Sequence, residues 1–476
     1  MRVVIAAVGS TGDVRPMVAL GAGLRAKGHE VRVATHAHFR PLVESNGLEF
    51  RPVAGDPIGE LSTTAGREWL ASGANPVGFA RFLGDMAREL AGAITRDSLA
   101  AADGCDVILG TLLGTVLVWQ VGEKLGIPVI PAYLQPRTPT GYYPDLFFPD
   151  LFPARDGYAS RPGAALRLYH HLSYRLVGWL AWRYLRQPIN GGRRLIGMTD
   201  LGRAEQFGGA FHAPGVLYGY SPLVAPTPPD WGPDSAVTGY WVLDDSTGWT
   251  PPPALVEFLE AGEPPVYIGF GSMIHSAPEH TARTVLAALA RAGRRGIVST
   301  GWGGMRPEEL PRHVFAVGSV PHEWLFSRVA AVVHHGGAGT TAAGLRAGRP
   351  SILTPFFGDQ GFWGRRVHAL GVGPRPVPFQ RITEEWLAGA ISEAVGSGEM
   401  RRRAAELGAR LREERGVEQA VTAFERLVTS WPGWDQVAPR ARGRRVGARA
   451  AGGGPHRGGT VHHGSNANHV EMEEVR

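Results

Sequence analysis

Several short stretches combine the residue types needed to bind a charged, hydroxylated ligand. In His334-His335-Gly336-Gly337-Ala338-Gly339-Thr340-Thr341 the small residues let an anion reach backbone N–H groups, and the helix that follows aims roughly half a positive charge at it. That suits a diphosphate, with His334 adding a hydrogen bond or a positive charge; a glycine-softened turn with core histidines fits the same spacing. Asp359-Gln360, after Pro355-Phe356-Phe357-Gly358, offers acceptors and donors for several sugar hydroxyls, or else an N-cap for a helix starting near Gly361. Asp13, in Gly9-Ser10-Thr11-Gly12-Asp13-Val14-Arg15-Pro16, is either a helix-start carboxylate or a base facing a cleft. Gly271-Ser272 and Gly301-Trp302 bring a hydroxyl and an indole to the same kind of position.

These stretches matter because of the elements that precede them. Val3 to Val8 is an apolar run of the kind buried on both faces; Met17 to Arg25 has helical spacing, Lys27-Gly28-His29 stops it, and Glu30 to Thr35 returns as a strand. Val107-Ile108-Leu109 and Pro128 to Ala132 continue the alternation. It restarts with strands at Val266 to Phe270, Gly296 to Thr300, Val314 to Val317, Ala330 to Val333 and Pro350 to Thr354, and with a helix over about 278–292. The fold class is α/β, two parallel-sheet domains in tandem. In open parallel sheets ligands bind beyond the carboxyl ends of the strands, which is where every candidate above lies. Proline clusters at 222–233 and 250–253 read as a stiff connection. The expected division is a first domain over 1–225, a linker over 226–253, a second domain over 254–434, and a disordered Gly-, Arg- and His-rich tail over 435–476.

Composition narrows the function classes. A chain of 476 residues, 43% hydrophobic and 19% charged, has the material for two sizeable cores. Its single cysteine, Cys105, excludes a disulfide framework and cysteine-based metal sites. Of the net charge of +6, the tail supplies +3, so the body is near neutral and nucleic-acid binding is disfavoured. The opening strand lacks the layout of a signal peptide, and the longest apolar run falls short of the ~20 residues that cross a bilayer; a cytoplasmic location is expected. Gly9-x-x-Gly12 lacks the dinucleotide fingerprint, and the second strand ends in Thr35-His36 instead of an acid, which argues against a nicotinamide enzyme.

Taken together, Gly9 to Pro16 with Ala19-Leu20 and Gly28-His29-Glu30-Val31, then Gly269-Phe270-Gly271-Ser272, Gly301-Trp302-Gly303-Gly304, His334 to Thr341 and Pro355 to Gln360 resemble the family-one, GT-B fold glycosyltransferases. The resemblance is to the branch holding sterol glucosyltransferases and bacterial antibiotic glycosyltransferases, and covers about residues 1–430. It implies two Rossmann-like domains facing across a cleft, the first for an acceptor and the second for a UDP- or TDP-linked sugar. Residue by residue, it implies that His334 and the loop of Gly336, Gly337, Ala338, Gly339 and Thr340 hold the diphosphate, with Ser272 approaching it. Trp302 and Val320 to His322 would border the base, and Asp359 and Gln360 would hold sugar hydroxyls. Asp13 occupies the position of the catalytic base, flanked by Ser10 and Gly12 on the acceptor side. The implied mechanism is inverting and uses no cofactor and no metal.

The acceptor is read from residues 135–187, an aromatic, proline-punctuated segment with a helix over roughly 164–186. Tyr142, Phe147, Phe148 and Phe152 are the expected acceptor contacts, with Tyr169, Tyr174, Trp179, Trp182 and Tyr184 on the helix. Their density favours a lipophilic acceptor such as a sterol, polyketide or macrolide. Arg167, Arg175, Arg183 and Arg186 beside them permit peripheral contact with anionic lipid. Two other classes share the architecture: a non-catalytic partner protein, against which the intact His334, Asp359 and Gln360 argue, and a sugar-nucleotide epimerase, which needs no acceptor segment.

Overall fold

The computed structural model describes residues 1–55, 76–148, 150, 161–202, 213–243, 249–271, 278–299, 310–435 and 437. Ser272, Trp302, Phe152 and the tail after Val437 lie outside the described residues.

The first half runs β1 (Arg2–Ala6), α1 (Thr11–Ala26), β2 (Glu30–Thr35), α2 (Arg40–Ser45), β3 (Glu49–Pro52), α3 (Pro76–Ala102), β4 (Val107–Gly110), α4 (Leu112–Leu125), β5 (Val129–Tyr133), α5 (Ala164–Leu195), β6 (Val216–Tyr218) and β7 (Ser235–Val237). Its sheet has seven strands in the order β3-β2-β1-β4-β5-β6-β7, and every pair is parallel. β1 sits between β2 and β4, with Val3 opposite both Val31 and Val107; helices cover both faces, which is why its run is apolar without alternation.

The second half contains α6 (Pro253–Glu260), β8 (Val266–Gly269), α7 (Pro278–Arg291), β9 (Gly296–Ser299), β10 (Val314–Val317), α8 (His322–Phe326), β11 (Ala331–His334), α9 (Ala338–Arg346), β12 (Ser351–Leu353), α10 (Gln360–Ala369), α11 (Glu384–Gly396), α12 (Gly398–Glu413) and α13 (Gly416–Ser430). Its five parallel strands are ordered β10-β9-β8-β11-β12. Two parallel-sheet α/β units result, as expected from the sequence, and Asp13 and Arg15 after β1 lie within electrostatic reach of Asp359 and His322 of the second unit, across the cleft between them.

The structure moves several boundaries. α1 starts at Thr11, six residues before the expected Met17, because Ser10 and Asp13 cap its first turn. α5 continues through Pro188 to Leu195, since Leu185 and Ile189 are packed in a cluster with Trp182 and Ala87 that outweighs the proline. α3 has no counterpart in the sequence reading. β7 arises inside the stretch expected to be linker and is the edge strand of the first sheet. The last helix, α13, crosses back: Ala420, Val421, Phe424, Leu427 and Val428 share the first core with Met17, Leu20 and Leu24. Val437, in the stretch expected to be free tail, is buried beside Trp431 and Trp434.

The halves also meet directly below the cleft. Tyr218, Tyr220 and Tyr240 of the first pack with Leu353, Phe362, Trp363 and Val367 of the second, and Arg366 Nε donates to the Val224 carbonyl at 2.8 Å. Among the described residues, no helix is long and apolar enough to cross a membrane.

Candidate active site

Asp13 is positioned by the turn between β1 and α1. The Ser10 N–H donates to Asp13 Oδ2 at 2.9 Å and the Ser10 hydroxyl donates to the same oxygen at 3.0 Å, leaving Oδ1 outside the cap. Gly9 makes this possible: its φ is +145°, and a Cβ there would lie 2.4 Å from Asp13 Oδ2. Capping and a cleft-facing carboxylate were alternatives in the sequence; the geometry shows the capping, made through Oδ2 alone. Burial raises the Asp13 pKa above its ordinary value, with the two Ser10 hydrogen bonds pulling the other way. Gly12 is exposed beside it.

Across the cleft, His334 ends β11 and is fully buried. Its Nδ1 accepts from the Gly336 N–H at 3.1 Å, so the neutral ring carries its proton on Nε2, and that atom has no hydrogen-bond partner. Burial, with His335 and His322 nearby, drives its pKa well below 6.5. The positive charge allowed by the sequence is therefore absent, and His334 offers a neutral N–H donor. Gly336, at φ +93°, turns the chain against Gln360 and Leu353. α9 starts after Gly337 with no side-chain cap, so the first-turn N–H groups of Ala338, Gly339 and Thr340 are those a helix leaves for an outside acceptor. His335 is wedged between Gly271 and Gly337, its ring 3.0 Å and 2.5 Å from where their Cβ atoms would be, and burial lowers its pKa to about 4. His322, first residue of α8, stacks on Phe326 with ring centroids 4.4 Å apart; burial and then Arg15 lower its pKa to about 4. Val320 packs against the core beneath them.

Asp359 and Gln360 follow β12. Asp359 Oδ2 accepts from Trp363 Nε1 at 2.7 Å. Burial pushes its pKa up to about 6, and the charge of Asp13, in the other half of the chain, adds to the rise. Gln360 Oε1 accepts from the Phe356 and Phe357 N–H groups at 2.8 and 3.3 Å; its amide NH₂ is the part left for a ligand. Asp359 makes no side-chain cap, and α10 starts at Gln360 instead of Gly361.

The apolar part of the site differs most from expectation. A cavity with about 1100 Å³ of empty space, its open mouth included, lies between α3, α4 and α5. Its walls are aliphatic: Met86, Leu90 and Ile94 from α3, Leu113 and Val116 from α4, and Leu180 from α5 among them. Of the expected aromatic contacts among the described residues, only Phe147 lines it. Tyr142 and Tyr143 pack with Tyr174 and Trp231, Phe148 is not in the wall, and Trp179 is 51% exposed: aromatic rings clustered in sequence found one another. The cavity ends at Val8 and His36, and His36 Nε2 accepts from the Gly9 N–H at 3.3 Å, so its inner end abuts the Asp13 loop. Arg137, unsuspected from the sequence, stands at its rim, 3.4 Å from Asp145, within 5.9 Å of the Phe147 ring centroid and within electrostatic reach of Asp359. The neighbouring acids are engaged, Asp145 by Arg137 and Asp150 by Arg365 at 3.5 Å, whereas among the described residues Asp13 is held by its own cap. α3 was not found because its aliphatic periodicity resembles any core helix, and Arg137 because one arginine in a loop carries no signal of its own.

Comparison with known proteins matches each half of the chain to a separate family model. Residues 3–144 match the family model of the glycosyltransferase family 28 N-terminal domain, and residues 285–420 that of the erythromycin biosynthesis protein CIII-like, C-terminal domain. The chain is 38% identical over 438 residues to sterol 3-beta-glucosyltransferase UGT80A2 of Arabidopsis thaliana, covering 89% of this chain and 65% of that one. To UGT80B1 of the same plant it is 36% identical, covering 90% and 68%. To the sterol 3-beta-glucosyltransferase of Aspergillus fumigatus it is 36% identical, covering 90% of this chain and 30% of the fungal one. The chain thus spans about two thirds of the length of the plant relatives and under a third of the fungal one. Among solved structures, the glycotransferase of kitacinnamycin superposes with a TM-score of 0.62 at 18% identity, covering 90% of this chain and 98% of that one. SnogD from Streptomyces nogalater gives 0.59 at 20%, covering 90% and 99%. At such identities these two speak for the fold.

Proposed function

Since the chain belongs to the GT-B fold, family-one type glycosyltransferases, we propose that it transfers a hexose, with inversion, from a UDP- or TDP-linked sugar to a hydroxyl of a lipophilic acceptor, a sterol being the first class to try. The observation that carries this reading is the aliphatic cavity whose inner end abuts the Asp13 loop, opposite the loops of His334 and Asp359. An epimerase or a non-catalytic partner has no use for that cavity.

In the proposed reaction an acceptor hydroxyl in the cavity attacks the anomeric carbon. The new C–O bond forms as the bond to the diphosphate oxygen breaks, and the hydroxyl proton passes to Asp13. The raised pKa of Asp13 makes it a better proton acceptor than a solvated aspartate, and the Ser10 bonds hold Oδ2 while the proton is taken on Oδ1. Charge on the leaving diphosphate falls to the α9 N-terminus and to His334 Nε2–H, a preorganised donor set. Asp359 and the Gln360 amide hold sugar hydroxyls. The positive potential is built from N–H groups, so the reading calls for no metal, and undiminished turnover in EDTA is expected.

The test is to incubate the full chain with UDP-glucose or TDP-glucose and a sterol panel and to look for a glycosylated sterol of inverted anomeric configuration. A sugar nucleotide isomerised without acceptor, or nucleotide binding with no transfer to any lipophilic alcohol, would overturn it.

A further inference from the structure

The outer face of α5 is the one surface in the described residues where large apolar side chains stand in solvent as a line. Leu168, Leu172, Leu176 and Trp179 are 60, 50, 50 and 51% exposed. Their spacing of four, four and three residues places them on one stripe of the helix, and the same spacing continues it to Arg183 and Arg186, both exposed. Arg175, also exposed, flanks it. The whole 32-residue helix contains six arginines and no acidic residue. Arg194 is paired with Asp200 and Arg193 with Glu123, but both lie in the last turn, beyond the stripe. Asp150, the acid near the start of the helix, is held by Arg365. The opposite face of α5 supplies Val177, Leu180, Ala181 and Leu185 to the cavity wall, so one helix separates the cavity from this stripe.

Leucines and a tryptophan in a row, bordered by cations with no acid among them, is the pattern of a helix that lies in a membrane interface, apolar side down and arginines among the headgroups. We propose that α5 docks the protein on an anionic lipid bilayer, with Leu168, Leu172, Leu176 and Trp179 entering the interface and Arg175, Arg183 and Arg186 meeting the headgroup phosphates. The proposal deepens the acceptor reading, because a lipophilic alcohol dissolved in that bilayer would lie one helix away from the cavity. Docking itself requires no sugar donor and is tested without one.

The experiment is co-sedimentation of the full chain with vesicles of phosphatidylcholine alone and of phosphatidylcholine with phosphatidylglycerol, at low and high salt. Binding is expected to the anionic vesicles and to weaken with salt. Leu172→Glu/Leu176→Glu/Trp179→Ser should abolish it with the thermal melt unchanged, since all three side chains are exposed. Arg175→Gln/Arg183→Gln/Arg186→Gln should weaken it, at about fivefold per arginine removed. Absence of binding to anionic vesicles overturns the proposal. So does binding that survives in the Leu/Trp variant, which would place the contact on the arginine-rich tail. A dimer in sedimentation velocity that the Leu/Trp variant dissolves also overturns it, because a second copy would then cover the stripe.

Discussion

The strand-end loops of the two halves solve different problems with different materials. After β1 the loop works through side chains: Asp13 is fixed by Ser10 and spared a clash by Gly9, in a loop that follows Val8 of the aliphatic cavity's lining. After β11 the loop works through backbone: glycines and alanine expose N–H groups at the start of α9, and its two histidines are neutral. An acceptor alcohol must lose a proton, which needs one basic atom in one place. A diphosphate must be held through several oxygens, which suits an array of N–H donors at a helix end. On the proposed reading, the chemistry rests on few atoms in the first half and is spread over many in the second, so single substitutions should differ sharply in effect between them.

The sharpest break in that contrast is Asp13→Asn. The amide keeps much of the cap, but general-base assistance is typically worth 10²–10⁴-fold, so turnover should fall by about that factor while calorimetric affinity for UDP and TDP stays constant. A structural Asp13 would instead leave turnover near wild type. Gly9→Ala tests positioning with the carboxylate intact. Its Cβ would collide with Asp13 Oδ2 at a backbone angle unfavourable for alanine, and a displacement of about 1 Å costs on the order of 10²-fold. Turnover should drop by about that much, again without loss of nucleotide affinity.

On the other side, His334→Ala removes one neutral N–H from the diphosphate array. A hydrogen bond to a charged group is worth ~1.5–3 kcal/mol, so nucleotide affinity should weaken by about that amount. His335→Ala should act mainly on packing between Gly271 and Gly337. A larger affinity loss at His335 would reverse the assignment of the two histidines.

Asp359 gives a pH-dependent prediction. Its folded pKa of about 6 lies above the ordinary 3.8, so it costs no stability where it is protonated in both states. The cost appears as pH rises through the interval between those values and is complete above the folded one. Asp359→Asn should therefore stabilise the protein by up to about 3 kcal/mol near pH 8, while weakening binding of the sugar nucleotide relative to the nucleotide alone. Thermal melts across pH should show that gain vanishing near pH 4; a gain independent of pH would mean that Asp359 is not the group responsible. The smallest effect is expected at the chain end. Truncation after Trp434 removes buried Val437 and should lower stability by about 1 kcal/mol, whereas truncation after Arg440 should leave both stability and turnover near wild type.

The sequence by itself determined the two sheets, the strand-end location of Asp13, His334, Asp359 and Gln360, and the family, because each rests on local signals: unbroken apolar runs, glycines at turns, and short motifs beside them. Only the tertiary structure decided what those residues can do. The protonation of His334 follows from its burial and from a Gly336 N–H two residues on; the raised pKa of Asp359 depends on burial and on a carboxylate more than three hundred residues away in sequence. The return of α13 to the first core joins segments that no periodicity connects. The aliphatic cavity went unforeseen for the same reason. An aliphatic wall built from α3, α4 and α5 has no signature in any one helix, since a side chain facing a cavity and one facing a packed core occupy the same position in the helical repeat, and only the neighbouring helix distinguishes them.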